Sequence, residues 1–154
     1  MIDELKNIEY VLFDLDGTVS DSSEGITKSA DKALKSEGIN VPFETLTSFI
    51  GPALRVSFGR YTDDVEKRDR MLDVYRERYS EKGWCENKIY PGMAELLRDL
   101  QKSGKHVVLA SAKPEYFCRK IIKYFGVEQY FDFIGGSDME GKRDDKTVLL
   151  TYVL

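Results

Sequence analysis

Two aspartates one residue apart close the first apolar run of the chain, in Ile8-Glu9-Tyr10-Val11-Leu12-Phe13-Asp14-Leu15-Asp16-Gly17-Thr18. On an extended segment, residues two apart leave the same face. Asp14 and Asp16 therefore present paired carboxylates, which can divide labour between an anionic nucleophile and a proton donor and acceptor. Gly17 permits a tight turn with close backbone approach to a ligand. Two further apolar runs also end in polar groups, one in Ser111-Ala112-Lys113 and one in Gly135-Gly136-Ser137-Asp138, with Lys142 and Lys146 beyond. A serine hydroxyl and a lysine point charge suit a phosphate. Carboxylates without a His or Cys cluster favour a hard, oxygen-liking cation, Mg²⁺ rather than Zn²⁺.

These groups need elements that bring them together. Short apolar runs at residues 8–13, 105–110 and 131–134 read as buried strands, and the helical patterns between them imply βαβ crossovers and a parallel sheet. Ligands of such sheets bind beyond the carboxyl ends of the strands, where all three polar clusters fall. Between the first strand and Lys82 the pattern is helical throughout. Asp21 and Glu24 form a capping-box pattern ahead of Ile26, Ala30, Ala33 and Leu34, and Gly38 closes that helix. Short helices are expected over 42–50 and 53–61. A long helix capped by Asp63 carries Val65, Leu72, Tyr75 and Tyr79 on one face. This block is too long for a simple crossover, so residues 20–88 read as an inserted helical domain and residues 1–19 with 89–154 as the α/β core. Met93, Leu96, Leu97 and Leu100 mark a later helix, Phe117, Ile121 and Phe125 another, and Lys146–Leu154 the start of a last one.

Composition narrows the class. The chain has 154 residues and a net charge of −4, without the basic excess of a nucleic-acid binder. Its longest apolar stretches fall far short of a membrane span. With two cysteines, Cys85 and Cys118, it does not read as a disulfide scaffold. The expectation is a cytoplasmic, slightly acidic globular protein with no nucleic-acid or membrane partner; nothing in the sequence speaks to oligomeric state.

Asp14-Leu15-Asp16-Gly17-Thr18 resembles the first motif of the haloacid dehalogenase superfamily in its phosphatase form. Ser111 matches the Ser/Thr that ends the second strand, Lys113-Pro114 the pair that often follows it, and Lys146 the third-motif lysine, with Lys142 also available. The helical insert after the first strand matches the family's cap, and Tyr90-Pro91-Gly92 its return hinge. Gly51-Pro52-Ala53-Leu54-Arg55, Ser111-Ala112-Lys113-Pro114-Glu115 and Gly136-Ser137-Asp138 resemble the phosphoglycolate-phosphatase and 5′-nucleotidase-like branch. The resemblance implies a doubly wound, Rossmann-like core with a helical cap. It also implies Mg²⁺-dependent hydrolysis of a small phosphomonoester, a phosphoglycolate-like compound, a nucleotide or a sugar phosphate, through an aspartyl phosphate. Asp14 would be the nucleophile and Asp16 the acid/base. Ser111 and Lys146 would bind the phosphoryl group. Gly17, Thr18, Ala112, Lys113 and Arg55 would contact the substrate. The Asp14 carboxylate and the Asp16 backbone carbonyl would hold Mg²⁺.

The family's fourth motif, an acidic pair after a fourth strand, has no counterpart after Lys146. An alternative would use Gly136-Ser137-Asp138 as that motif with Lys120 or Lys123 as the lysine, at the cost of a strand. The chain is thus expected to be truncated, with the last core strands missing, the Asp14 strand left as an apolar edge, and weak Mg²⁺ binding and turnover. A non-catalytic fragment needing a partner segment, and a phosphomutase with the same motifs, are the alternatives. A response-regulator receiver would lack the helical insert, and a dinucleotide-binding domain would need a Gly-x-Gly-x-x-Gly turn. His106 reads as structural, Cys85 as the end of the cap with no nucleophile pattern, Cys118 as core or partly buried, and Tyr75 and Tyr79 as packing.

Overall fold

The computed structural model describes residues 6–154. Three strands, β1 (Tyr10–Phe13), β4 (His106–Pro114) and β5 (Phe133–Ser137), form a parallel sheet in the order β1-β4-β5. Tyr10 to Phe13 face His106 to Leu109, and Val108 to Ser111 face Phe133 to Gly136. Helices α4 (Met93–Lys102), α5 (Glu115–Tyr124) and α6 (Lys146–Val153) belong to the same unit, whose segments end at Val19 and resume from Ile89 to Leu154. Its core is Leu15, Val19, Leu97, Val107, Leu109, Ile121, Ile122 and Leu149, all essentially without exposed surface. Val107 to Ala110 are buried in succession, the pattern of a central parallel strand covered on both faces. β1 is an edge among the described strands, with Ile8, Tyr10 and Leu12 exposed.

The second strand of the sequence analysis runs further than the apolar run alone. β4 continues through Ser111-Ala112-Lys113 to Pro114, and its register on β5 shifts between Ser111, opposite Gly136, and Pro114, opposite Ser137. That bulge inserts Ala112 and Lys113 where β5 has no counterpart and turns the strand end aside.

Residues Ser20–Lys88 form the second compact unit. It contains α1 (Ser23–Ser36), α2 (Leu54–Gly59) and α3 (Val65–Glu81), with 3₁₀ turns at Phe43–Phe49 and Gly83–Cys85. Short strands β2 (Ser20–Asp21) and β3 (Lys88–Ile89) pair where the chain enters and leaves it. Ile26, Ala30, Ala33 and Leu34 of α1 and Met71, Leu72, Tyr75 and Tyr79 of α3 supply its buried core together with Leu46, Phe49 and Phe58. Phe49 and Phe58 meet edge-on at 5.0 Å, and Tyr75 stacks on Tyr79 at 5.5 Å. Two caps differ from the sequence reading. Asp64, not Asp63, caps α3, accepting from the N–H groups of Glu66 and Lys67. Asp21 accepts from Ser23 N at 3.0 Å, and Ser22 opens α1 without a side-chain cap, so no reciprocal capping box forms. The short helix expected over 42–50 forms as a 3₁₀ helix over Phe43–Phe49. Among the described residues no helix is long and apolar enough to cross a membrane.

Candidate active site

The loop after β1 is held by its own backbone. Thr18 N and Val19 N both donate to Leu15 O, Leu15 N donates to Asp14 Oδ1 at 2.8 Å, and Gly17 takes φ +79°. Burying Leu15 and Val19 anchors the turn, so the intervening polar residues are displayed from a fixed frame. Asp14 has a partly exposed carboxylate whose Oδ2 lies 3.6 Å from Lys146 Nζ. Asp16 is turned inward. Its side chain is 8% exposed and Oδ1 lies 3.2 Å from Nζ of Lys113, itself 6% exposed. That contact is off the hydrogen-bond direction, and the buried Oδ1 has no hydrogen-bond partner.

β4 delivers Ser111, Ala112 and Lys113 to the same strand end. Ser111 is buried and its Oγ accepts from Lys113 N at 3.2 Å. Cys118, one turn into α5, is fully buried and its Sγ lies 3.5 Å from Lys113 O. Burial pushes the Cys118 thiol up to about 12, opposed by the nearby Lys113 charge and reinforced by Asp16. A thiol so placed is packing and no nucleophile.

Lys146 is placed by a cap that the sequence reading missed. Asp145 accepts from Thr147 N at 2.8 Å and from Val148 N at 3.2 Å, which starts α6 at Lys146. The available signal was an Asp three residues ahead of the apolar run that begins at Val148. Lys142, the other candidate, pairs with Glu140 at 2.5 Å and its N–H donates to Asp138. Glu115, the first residue of α5 and the last of the Ser111–Glu115 run, has a bracing role that the sequence did not show. It accepts from Arg119, from Gly136 N and from Tyr152 Oη, tying α5 to β5 and α6. Arg143 donates to Gly136 O at 3.1 Å and lies 4.1 Å over the Tyr152 ring.

Thus Asp14, Asp16, Ser111, Lys113 and Lys146 gather within one unit, beside the exposed Gly17 and Thr18 and the half-buried Ala112. Arg55 lies on α2 of the other unit. Among the described residues no group of three His, Cys, Asp or Glu side chains could hold a metal. The donors present are carboxylate and carbonyl oxygens. They fit a cation such as Mg²⁺, which is often held by one or two carboxylates with waters and substrate phosphate.

Fold and site together define a parallel α/β protein with an acidic pair and a phosphate-suited lysine at its strand ends. The chain belongs to the haloacid dehalogenase-like hydrolase family, whose sequence pattern matches residues 11–153. It is 36% identical over 147 residues to the tyrosine-protein kinase PtkA of Mycobacterium tuberculosis, covering 95% of this chain and 50% of that protein. It is 38% identical over 146 residues to a 5′-nucleotidase of Pseudomonas aeruginosa, covering 94% and 66%. Among solved structures it is similar to a predicted phosphatase from Clostridium acetobutylicum, with TM-score 0.90, 42% identity, and coverage of 94% of this chain and 68% of that one. The chain therefore spans from half to about two thirds of the lengths of these relatives.

Proposed function

We propose that the protein is a phosphatase that hydrolyses a small phosphomonoester in two phosphoryl transfers through Asp14. The observation that carries this reading is the pairing of Asp14 with Lys146 next to an inward-turned Asp16, all at the carboxyl ends of parallel strands. In the first transfer an Asp14 oxygen attacks phosphorus, the ester P–O bond breaks, and the leaving alcohol takes a proton from Asp16. In the second, water attacks the phosphorus, its proton passes to Asp16, and the bond to Asp14 breaks to release phosphate. Lys146 and Ser111 offset charge building on the phosphoryl oxygens, the main demand of this chemistry. Mg²⁺ would be held by the Asp14 carboxylate and the Asp16 backbone carbonyl, where it would neutralise phosphate charge.

Gly17, Thr18 and Ala112 border the reacting centre, and Arg55 of the helical insert is the proposed reader of the rest of the substrate. The substrate class is a phosphoglycolate-like acid, a nucleotide or a sugar phosphate in the cytoplasm. The relative named a tyrosine-protein kinase suggests a second acceptor for the same phosphoryl group.

The test is single-turnover labelling with a ³²P-phosphomonoester and Mg²⁺, followed by product analysis. The expected result is label on Asp14 that passes to water, with Asp14→Asn losing more than about 10³-fold of the rate while remaining folded. Label retained by Asp14→Asn refutes the nucleophile. Transfer to a tyrosine peptide in preference to water favours the kinase reading.

A further inference from the structure

Lys113 lies in the segment from which substrate contacts are expected, yet its ammonium faces the protein interior. Three features fix it there. The register shift between Ser111 and Pro114 lifts residues 112 and 113 out of the ladder with β5. The Lys113 backbone is then pinned at both ends, its N–H by Ser111 Oγ and its carbonyl by Cys118 Sγ. Gly136 makes the space, since a Cβ there would lie 2.5 Å from Lys113 O. The side chain from this frame ends 3.2 Å from Asp16 Oδ1, a fully buried oxygen with no hydrogen-bond partner.

We propose that Lys113 is a positioning residue for Asp16: its ammonium pins Oδ1 in the interior, which leaves Oδ2 as the oxygen that gives and takes the proton. The inference rests on the phosphatase reading for what Asp16 does, but not for the contact itself. An Oδ1 closed off from solvent cannot meet a leaving group or a water, so both proton transfers run through Oδ2. A lysine held this way is not a substrate contact. Its loss frees the Asp16 side chain to rotate while Asp14 and Lys146 keep their places.

Two measurements decide it. The first compares wild type, Lys113→Met and Lys113→Arg with p-nitrophenyl phosphate, whose leaving group needs no proton. Phosphorylation of Asp14 should continue in Lys113→Met while its hydrolysis slows, so the acid-quenched phosphoenzyme level rises. With an alkyl phosphate, kcat should fall by roughly 10²-fold, as for loss of a general acid. KM should stay within about threefold, and Lys113→Arg should recover most of the rate. A raised KM with unchanged kcat, or no change in either, overturns the proposal. The second is a thermal-unfolding cycle of Lys113→Met, Asp16→Asn and the double variant, which needs no activity. The two substitutions should couple, the double variant losing less than the sum, and strict additivity overturns the pairing. Failure of wild type to form any phosphoenzyme would sink the phosphatase reading and leave the cycle to judge the contact.

Discussion

Substituting Gly136 by alanine tests whether the close approach of β5 to the bulge builds the site. A Cβ on Gly136 would lie 2.5 Å from Lys113 O and 2.6 Å from both the Cα and N of Glu115. All three are backbone atoms, so no side-chain rotation relieves the contact. The Lys113 carbonyl, the first turn of α5, or β5 itself must move by most of an ångström to restore ordinary contact. Overpacking of this kind costs about 1–3 kcal/mol, and the backbone character of the neighbours puts this case at the upper end. Lower entropy of the unfolded chain returns about 0.4–1 kcal/mol, so a net loss of about 2 kcal/mol is expected. For a chain of this size that lowers the unfolding midpoint by roughly 4–8 °C. Gly59→Ala is the control, because its Cβ meets nothing within 4 Å and its φ is ordinary for a side chain. It should be neutral or slightly stabilising. Because the displaced carbonyl belongs to Lys113, Gly136→Ala should also reduce phosphoenzyme hydrolysis beyond any loss of folded protein. A Gly136→Ala midpoint matching that of wild type, with Gly59→Ala as expected, would refute the reasoning.

Iodoacetamide at pH 8 should modify Cys85 in the native protein and spare Cys118, whose thiol, pushed up to about 12, holds a thiolate fraction on the order of 10⁻⁴ at that pH; both should react in urea, and native labelling of Cys118 at the Cys85 rate contradicts the burial. In the helical insert, the Arg78 hydrogen bond holds the Glu86 carboxyl below its ordinary 4.5, against a smaller opposing effect of burial. A lowered folded-state value means stability present above about 4.5 and lost as pH falls through the folded value. Glu86→Gln should therefore cost about 1.5 kcal/mol at pH 7, and its difference from wild type in denaturant unfolding should shrink as pH falls below 4.5 and through the lowered folded value; a pH-independent difference contradicts this.

The parts of the fold legible in the sequence are those written locally. Val107 to Ala110 are apolar in succession because both faces of β4 are covered, and that is visible without knowing what covers them. The Asp14-Leu15-Asp16-Gly17-Thr18 turn is likewise local, since its hydrogen bonds run within the segment and to Val19. The orientation of Lys113 is not local. It depends on a register shift against β5 and on the missing side chain of Gly136, more than twenty positions away. Spacing alone puts a lysine after a strand into solvent, and only the paired strand shows that it turns in. The choice between Lys142 and Lys146 had a local signal, the Asp145 cap, that periodicity does not register because it precedes the first apolar residue of α6.

The same long-range contacts brace the strand end from which the proposed site residues extend. Glu115 collects donors from Arg119, Gly136 and Tyr152, so that α5, β5 and α6 share one carboxylate. α6 carries Lys146 toward Asp14, and α5 begins next to the Lys113 carbonyl. A shift in any one of these elements is opposed by the other two. The proposed phosphoryl transfer would demand placement to within a fraction of an ångström, and an exposed side chain such as Lys146 does not supply that by itself. The Glu115 node and the bulge-glycine contact do, because they fix the backbone from which Lys146 and Lys113 extend.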